Sequence, residues 1–192
     1  MKTDYYLKIT ILYLIILTQG LAETYFVYEG TIVSDQWDDG HFFSAGDTVY
    51  VSYAFDYSVS DIYPSDQNYG YYPDASASLK FHHAKSGFEA HFTGGDAFIV
   101  LNQNPDGTGY QADDGMALDA DTAVETSYLG DNAVEYLMFD GVGDGSMFSN
   151  DSLPDDFVDL TESILTLTFD DSSYINLYLV LKPYMQGPFD IE

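Results

Sequence analysis

The sequence predicts an all-β fold, an antiparallel, jelly-roll-like β-sandwich of about nine strands. Three observations carry that prediction. Residues 48–56 alternate without a break, with Val49, Val51, Tyr53 and Phe55 apolar and Thr48, Ser52 and Asp56 polar, which is the period of a half-buried strand. Turn residues recur between similar short runs along the chain. No amphipathic helix longer than a turn or two is visible, the nearest being residues 155–160.

The organising run at 48–56 follows the turn pair Gly46-Asp47. Its β-branched and aromatic residues suit a pleated surface, and its apolar face needs a covering layer. Before it, residues 26–33 read as a first strand with Gly30 inside it, and residues 35–43 as a loop holding the only tryptophan, Trp37. After it, residues 57–74 read as a long Tyr-rich loop interrupted by Pro64, Gly70 and Pro73.

Residues 75–92 are the clearest hairpin. Ala77, Leu79 and Phe81 alternate with Ser78, Lys80 and His82, and beyond a turn at 84–87, Phe88, Ala90 and Phe92 alternate with Glu89 and His91. A turn of that length sets Phe81 opposite Ala90, Leu79 opposite Phe92, His82 opposite Glu89 and Lys80 opposite His91. Residues 96–101 form a fuller apolar run, expected to be buried on both faces, followed by an Asn/Asp/Gly loop at 102–114. Residues 123–129, 133–139, 163–170 and 174–182 complete the nine strands. Leu165, Leu167 and Phe169 are expected to face inward with Ile175, Leu177, Leu179 and Leu181, across the turn Asp171-Ser172-Ser173. The tail from 183 shows no clear element.

Lys2 and Lys8, the apolar run at 9–17 and the small residues Gly20 and Ala22 have the layout of a secretory signal peptide over residues 1–22. The run falls short of the ~20 residues that span a bilayer. The remaining chain, 23–192, is expected to be one domain, secreted to the periplasm or outside the cell, with no membrane association after cleavage. There is no cysteine, so disulfides, thiol nucleophiles and thiolate metal sites are excluded. The net charge is −27, and the five basic residues are all lysines. Such a surface repels nucleic acid and anionic membrane. With 46% hydrophobic and 17% aromatic residues, the chain nonetheless has the composition of a packed domain.

Several pieces together resemble a family. Gly30-Thr31-Ile32-Val33, Ala45-Gly46-Asp47-Thr48-Val49, Tyr53-Ala54-Phe55-Asp56 with Asp61 and Pro64, and Phe148-Ser149-Asn150-Asp151-Ser152-Leu153-Pro154 before the run at 164–169 are similar to secreted bacterial β-sandwich proteins of the kind often carrying a PEP-CTERM sorting signal. The resemblance implies an exported all-β domain and carries over no catalytic residue. The sorting motif itself is not seen at the final residues, Asp190-Ile191-Glu192.

Candidate sites rest on spacing. Asn102, Asn104, Asp106 and Asp113 stand at positions 1, 3, 5 and 12 of a loop with Gly107 at position 6, the spacing of a calcium loop. Pro105 at position 4 and Asp in place of Glu at position 12 depart from it, and an Asn/Asp/Gly loop chosen for its turns is the stronger reading. Trp37, Tyr69, Tyr71 and Tyr72, with Tyr63 nearby, sit among Asp and Asn, as sugar-stacking aromatics do, although such residues also cap sandwich ends. His82, His91, Lys80 and Glu89 share the polar side of the hairpin, either as a metal or acid–base site or as cross-strand ion pairs. No catalytic constellation announces itself. The expected function is an exported, non-catalytic structural or binding module of the envelope or extracellular matrix. A calcium-dependent carbohydrate-binding module is the alternative, and a small secreted hydrolase comes third.

Overall fold

The computed structural model describes residues 24–36, 38, 42–66, 68–101, 114–143, 151–160 and 162–188. Among the described residues there are twelve strands: β1 (Thr24–Gln36), β2 (Thr48–Phe55), β3 (Tyr69–Tyr72), β4 (Ser76–His83), β5 (Phe88–Thr93), β6 (Ala97–Val100), β7 (Gly115–Ala120), β8 (Thr122–Ala123), β9 (Tyr128–Leu129), β10 (Asn132–Val142), β11 (Glu162–Phe169) and β12 (Tyr174–Pro188). The chain is all-β and antiparallel, as its alternation predicts, but the expected two-sheet sandwich of about nine strands is corrected. Pairing runs as one sheet, β3-β6-β7-β10-β11-β12-β1-β2-β4-β5-β8, with β9 attached to β10. β3 and β7 are additional strands, and the run at 123–129 is divided into β8 and β9.

The sheet curls so that its inner face packs against itself. β2 and β10 lie four places apart along the pairing order, yet Tyr53 of β2 stacks on Phe139 of β10 with ring centroids 6.1 Å apart. Alternation decides which residues meet there. Val49, Val51, Tyr53 and Phe55 are buried, as are Leu165, Leu167 and Phe169, and Ile175, Leu177, Leu179 and Leu181.

Residues 151–160 cross the inside of the curl and form no helix. A tertiary partner takes the place of a helical turn: the Tyr28 hydroxyl accepts from the Val158 amide and donates to its carbonyl, both at 3.1 Å. Tyr53 Oη lies 3.3 Å from the same hydroxyl. Phe157 sets its edge against Phe26 and Tyr28, at 5.7 and 5.2 Å. Burial pushes both phenols above their ordinary pKa, so both remain neutral donors through the physiological range.

β1 and β12 form the longest ladder, from Thr24↔Pro188 to Gln36↔Asn176. β11 pairs with β12 only as far as Leu179, so the C-terminal part of β12 has a single neighbour. Pro183 sits there, where its missing N–H leaves no ladder bond unmade, beside a register shift between Val27 and Tyr28. The tail that showed no pattern is thus strand to residue 188, because Pro183 and Gly187 mask the alternation.

The hairpin has the expected register, with Leu79↔Phe92, Lys80↔His91, Phe81↔Ala90 and His82↔Glu89. Leu79, Phe81, Ala90 and Phe92 are fully buried. Leu79→Ala should cost about 2–5 kcal/mol by urea unfolding. Lys80→Ala, which loses a 3.5 Å contact to the half-exposed Glu89, should cost about 1 kcal/mol or less. Equal losses would contradict this register.

Candidate functional site

The outer face of β3 and β6 carries a group of aromatic rings. Tyr69 and Tyr71 alternate outward, while Gly70 and Tyr72 turn inward and are buried. Tyr71 lies opposite Phe98 of β6, and the two rings are cofacial, 4.7 Å apart and 2° from parallel. Tyr69 approaches Phe98 at 6.5 Å. Tyr63, from the preceding loop and 49% exposed, lies 5.8 Å from Tyr69 and 6.2 Å from Tyr71. Four rings therefore form one surface patch.

Asp61 holds the loop against the strand. Its Oδ1 accepts from the Tyr63 amide at 2.9 Å and the Tyr71 amide at 3.0 Å. The Ile62 amide donates to the Tyr71 carbonyl at 3.0 Å. Both main-chain groups of Tyr71 on the outer edge of β3 are therefore occupied, which blunts an edge otherwise open to another strand. Asn68 repeats the device, donating its amide to Asp66 Oδ1 at 3.1 Å.

Carboxylates border the rings. The Tyr71 hydroxyl donates to Asp96 Oδ2, and Asp96 Oδ1 accepts from the Asp74 amide at 3.0 Å. The Asp96 amide in turn donates to Asp119 Oδ1, and Asp119 also holds the hydroxyl of Tyr136. The bond to Asp96 pushes the Tyr71 phenol up to about 12, with burial and the negative charges of Asp96 and Asp119 adding to it. Burial above all raises the Tyr136 phenol as well. The patch joins ring faces to hydroxyl donors and carboxylate acceptors, with no lysine or histidine among its residues. That chemistry suits a neutral polyhydroxylated ligand and disfavours an anionic one.

The structure brings Tyr69 and Tyr71 of the predicted group together and separates Tyr72. Tyr72 is 6% exposed and donates its hydroxyl to the Asp151 carbonyl at 2.8 Å from inside the sheet. Trp37, Asn102, Asn104, Asp106 and Asp113 lie outside the described residues. Phe98 and Asp96 are not among the residues the sequence singles out, and Asp119 stands out there only as one of a run of acidic residues. β6 was expected to be buried on both faces, but Ala97 and Ile99 are buried while Phe98 is half-exposed. The alternation Asp96-Ala97-Phe98-Ile99 held that signal.

On the hairpin's outer face, His82 Nδ1 lies 2.8 Å from Glu89 Oε1, and Ser78 Oγ lies 3.0 Å from His91 Nε2. Burial lowers the His91 pKa, keeping its ring neutral. Among the described residues no cluster of three or more His, Asp and Glu side chains is placed to hold a metal ion. His83 faces inward, between Ser86 Oγ at 2.7 Å and Asp47 Oδ2 at 3.2 Å. These are the residue types of a hydrolytic triad, but the groups hold a turn. Ser86 Oγ accepts from the Phe88 amide at 3.2 Å, and Asp47 carries Lys85 at 3.0 Å.

Comparison with known proteins finds no matching family model, no matching curated protein and no matching solved structure.

The raised Tyr71 phenol has a pH consequence. The folded state holds this proton more tightly than an unfolded chain, whose phenol titrates near 10.0. Its contribution to stability is therefore complete below pH 10.0 and is lost as pH rises towards about 12. The stability gap between the protein and Tyr71→Phe should close across that window, and the variant should lose one late-ionising phenol in an ultraviolet titration. A gap that stays constant throughout would contradict the Tyr71–Asp96 bond.

Proposed function

We propose that this chain is an exported, non-catalytic binding protein of the cell envelope or extracellular matrix, and that its outer aromatic patch receives neutral carbohydrate. The observation that carries the reading is the grouping of Tyr63, Tyr69, Tyr71 and Phe98 on one exposed face, bordered by Asp61 and Asp96. Sugar rings present C–H faces that stack on aromatic rings and hydroxyls that bond carboxylates and phenols. An interior role does not account for these four rings, because the core lies on the opposite side of the sheet. The leader-like start of the chain, its charge and its resemblance to exported β proteins support an extracytoplasmic setting.

The calcium-dependent form of this reading has one specific observation in its favour. The loop holding Asn102, Asn104, Asp106 and Asp113 follows Leu101, directly after β6, and Val100 at the end of β6 lies opposite Tyr69. A cation held by that loop could bridge sugar hydroxyls.

The test is affinity electrophoresis in gels containing neutral polysaccharides, with and without chelator. At least one glucan, xylan or mannan should retard the protein. Tyr63→Ala should weaken the retardation by about threefold to tenfold, the worth of one aromatic contact. Loss of retardation on chelation selects the calcium-dependent form. Migration unchanged in every gel would overturn the carbohydrate reading.

A further inference from the structure

A concavity lies elsewhere on the sheet, at the outer side of β10, β11, β12 and β1. It has a volume of about 380 Å³ and is lined by Val33, Val142, Ile164, Tyr178 and Val180, with Asp140 and Glu162 among them. That volume is in the range that accommodates a small organic ligand. We propose that this groove binds a small apolar primary amine, whose hydrocarbon body lies on the valines and isoleucine and whose ammonium meets Asp140 and Glu162.

The groove arises from the β1–β12 ladder. Ile32 pairs with Leu179 and Ser34 with Tyr178, so Val33 is left out of the ladder as a bulge. A bulge re-aims its side chain and bends the strand. Val33 and Val180 are each 56% exposed, and both line the groove. Apolar side chains set on an exposed face around a concavity indicate a surface that something covers.

The carboxylates give the chemistry. Asp140 pairs with Ile164, and Val142 pairs with Glu162. The pleat therefore sets Asp140 and Glu162 diagonally on one face, at a separation of about 7–8 Å between backbones, within reach of one ammonium. No lysine, arginine or histidine lines the groove. Among the described residues neither carboxylate takes part in an ion pair. Burial raises the Asp140 pKa, as for a carboxylate short of a cation, and a bound ammonium would restore its preference for the charged form. Tyr178 donates its hydroxyl to Gln36 Oε1 at 3.3 Å, which orients a ring beside the groove for a cation–π contact. An anion would meet two like charges, and a neutral apolar molecule would leave both carboxylates uncompensated.

Isothermal titration with 2-phenylethylamine tests this, with 2-phenylethanol as the neutral isostere and methylamine as the cation lacking an apolar body. Saturable one-to-one binding of phenylethylamine is expected, at least about tenfold tighter than phenylethanol, as one charge-assisted bond is worth, and at least about tenfold tighter than methylamine, which buries no apolar body. Asp140→Asn should weaken it about tenfold, and Val180→Lys, which supplies its own ammonium, should block it. Asp171→Asn, a charge removed from an exposed turn, should leave it unchanged, with urea midpoints confirming that each variant is folded. Nα-acetyl-lysine amide distinguishes a protein lysine from a free amine as the source of the ammonium, and its binding more tightly than phenylethylamine would overturn the small-amine assignment. Equal binding of phenylethylamine and methylamine, or equal loss in Asp140→Asn and Asp171→Asn, would also overturn the proposal, because either result describes only the diffuse attraction of a −27 chain.

Discussion

The pairing of β1 with β12 is the constraint on which the rest of the molecule depends. It joins the first described strand to the last. On one side of it hang β2, β4, β5 and β8, and on the other β11, β10, β7, β6 and β3. Neither set closes an interior without the other, since Tyr53 from the first packs on Phe139 from the second. Contacts between residues so far apart in sequence are costly in loop entropy before they gain anything. The ladder's irregularities follow from the same pairing. One accommodates Pro183, and the other expels Val33 and shapes the outer groove.

Alternation along the strands then divides the molecule chemically. The inner face holds the aromatic and aliphatic core, closed by residues 151–160 through Tyr28 and Phe157. Among the described residues Asp38 and Asp114 are the only buried carboxylates, and Asp38 Oδ2 accepts from the Phe43 amide at 2.8 Å. The outer face carries both concentrations of chemistry. One is an aromatic patch bordered by hydrogen-bonded carboxylates, and the other an apolar groove with two carboxylates outside any described ion pair. Asp61 ties the backbone of Tyr63 to that of Tyr71, which sets the loop beside β3.

Much of this was legible in the sequence wherever a strand has one buried face. The β4–β5 hairpin with its register, β11 and β12 with their inward leucines, and the inward set of β2 follow from period-two patterns and short turns, although Ser52 and Ala54 on the other side of β2 are buried as well. The pattern failed where it is short or interrupted. β3 is four residues long, Tyr69–Tyr72, and its alternation is of Gly and Tyr, so it reads as a loop. β7 is Gly-Met-Ala-Leu-Asp-Ala, where small residues blur the contrast between its faces. The segment at 155–160 resembled a helical turn because nothing local reveals that Val158 will bond to a tyrosine 130 positions away. The layering is hidden for the same reason: strand count and alternation do not state which strands pair, and one curled sheet and two stacked ones share them. Of the aromatic patch, Tyr69 and Tyr71 could be named from composition, whereas Phe98 joins them only through the β3–β6 register. The Asp140–Glu162 juxtaposition likewise needs the β10–β11 register.

Native-state amide hydrogen exchange in increasing urea tests the dependence on the β1–β12 ladder most directly. The account predicts that amides of β1 and β12 exchange only through global unfolding, with the same opening free energy as those of β2 and β11. It also predicts that the β4–β5 hairpin and the β7–β10 pair keep no protection once that ladder has opened. Hairpin amides still protected at urea concentrations where β1 and β12 exchange freely would contradict it, showing a half-sheet that stands without its partner.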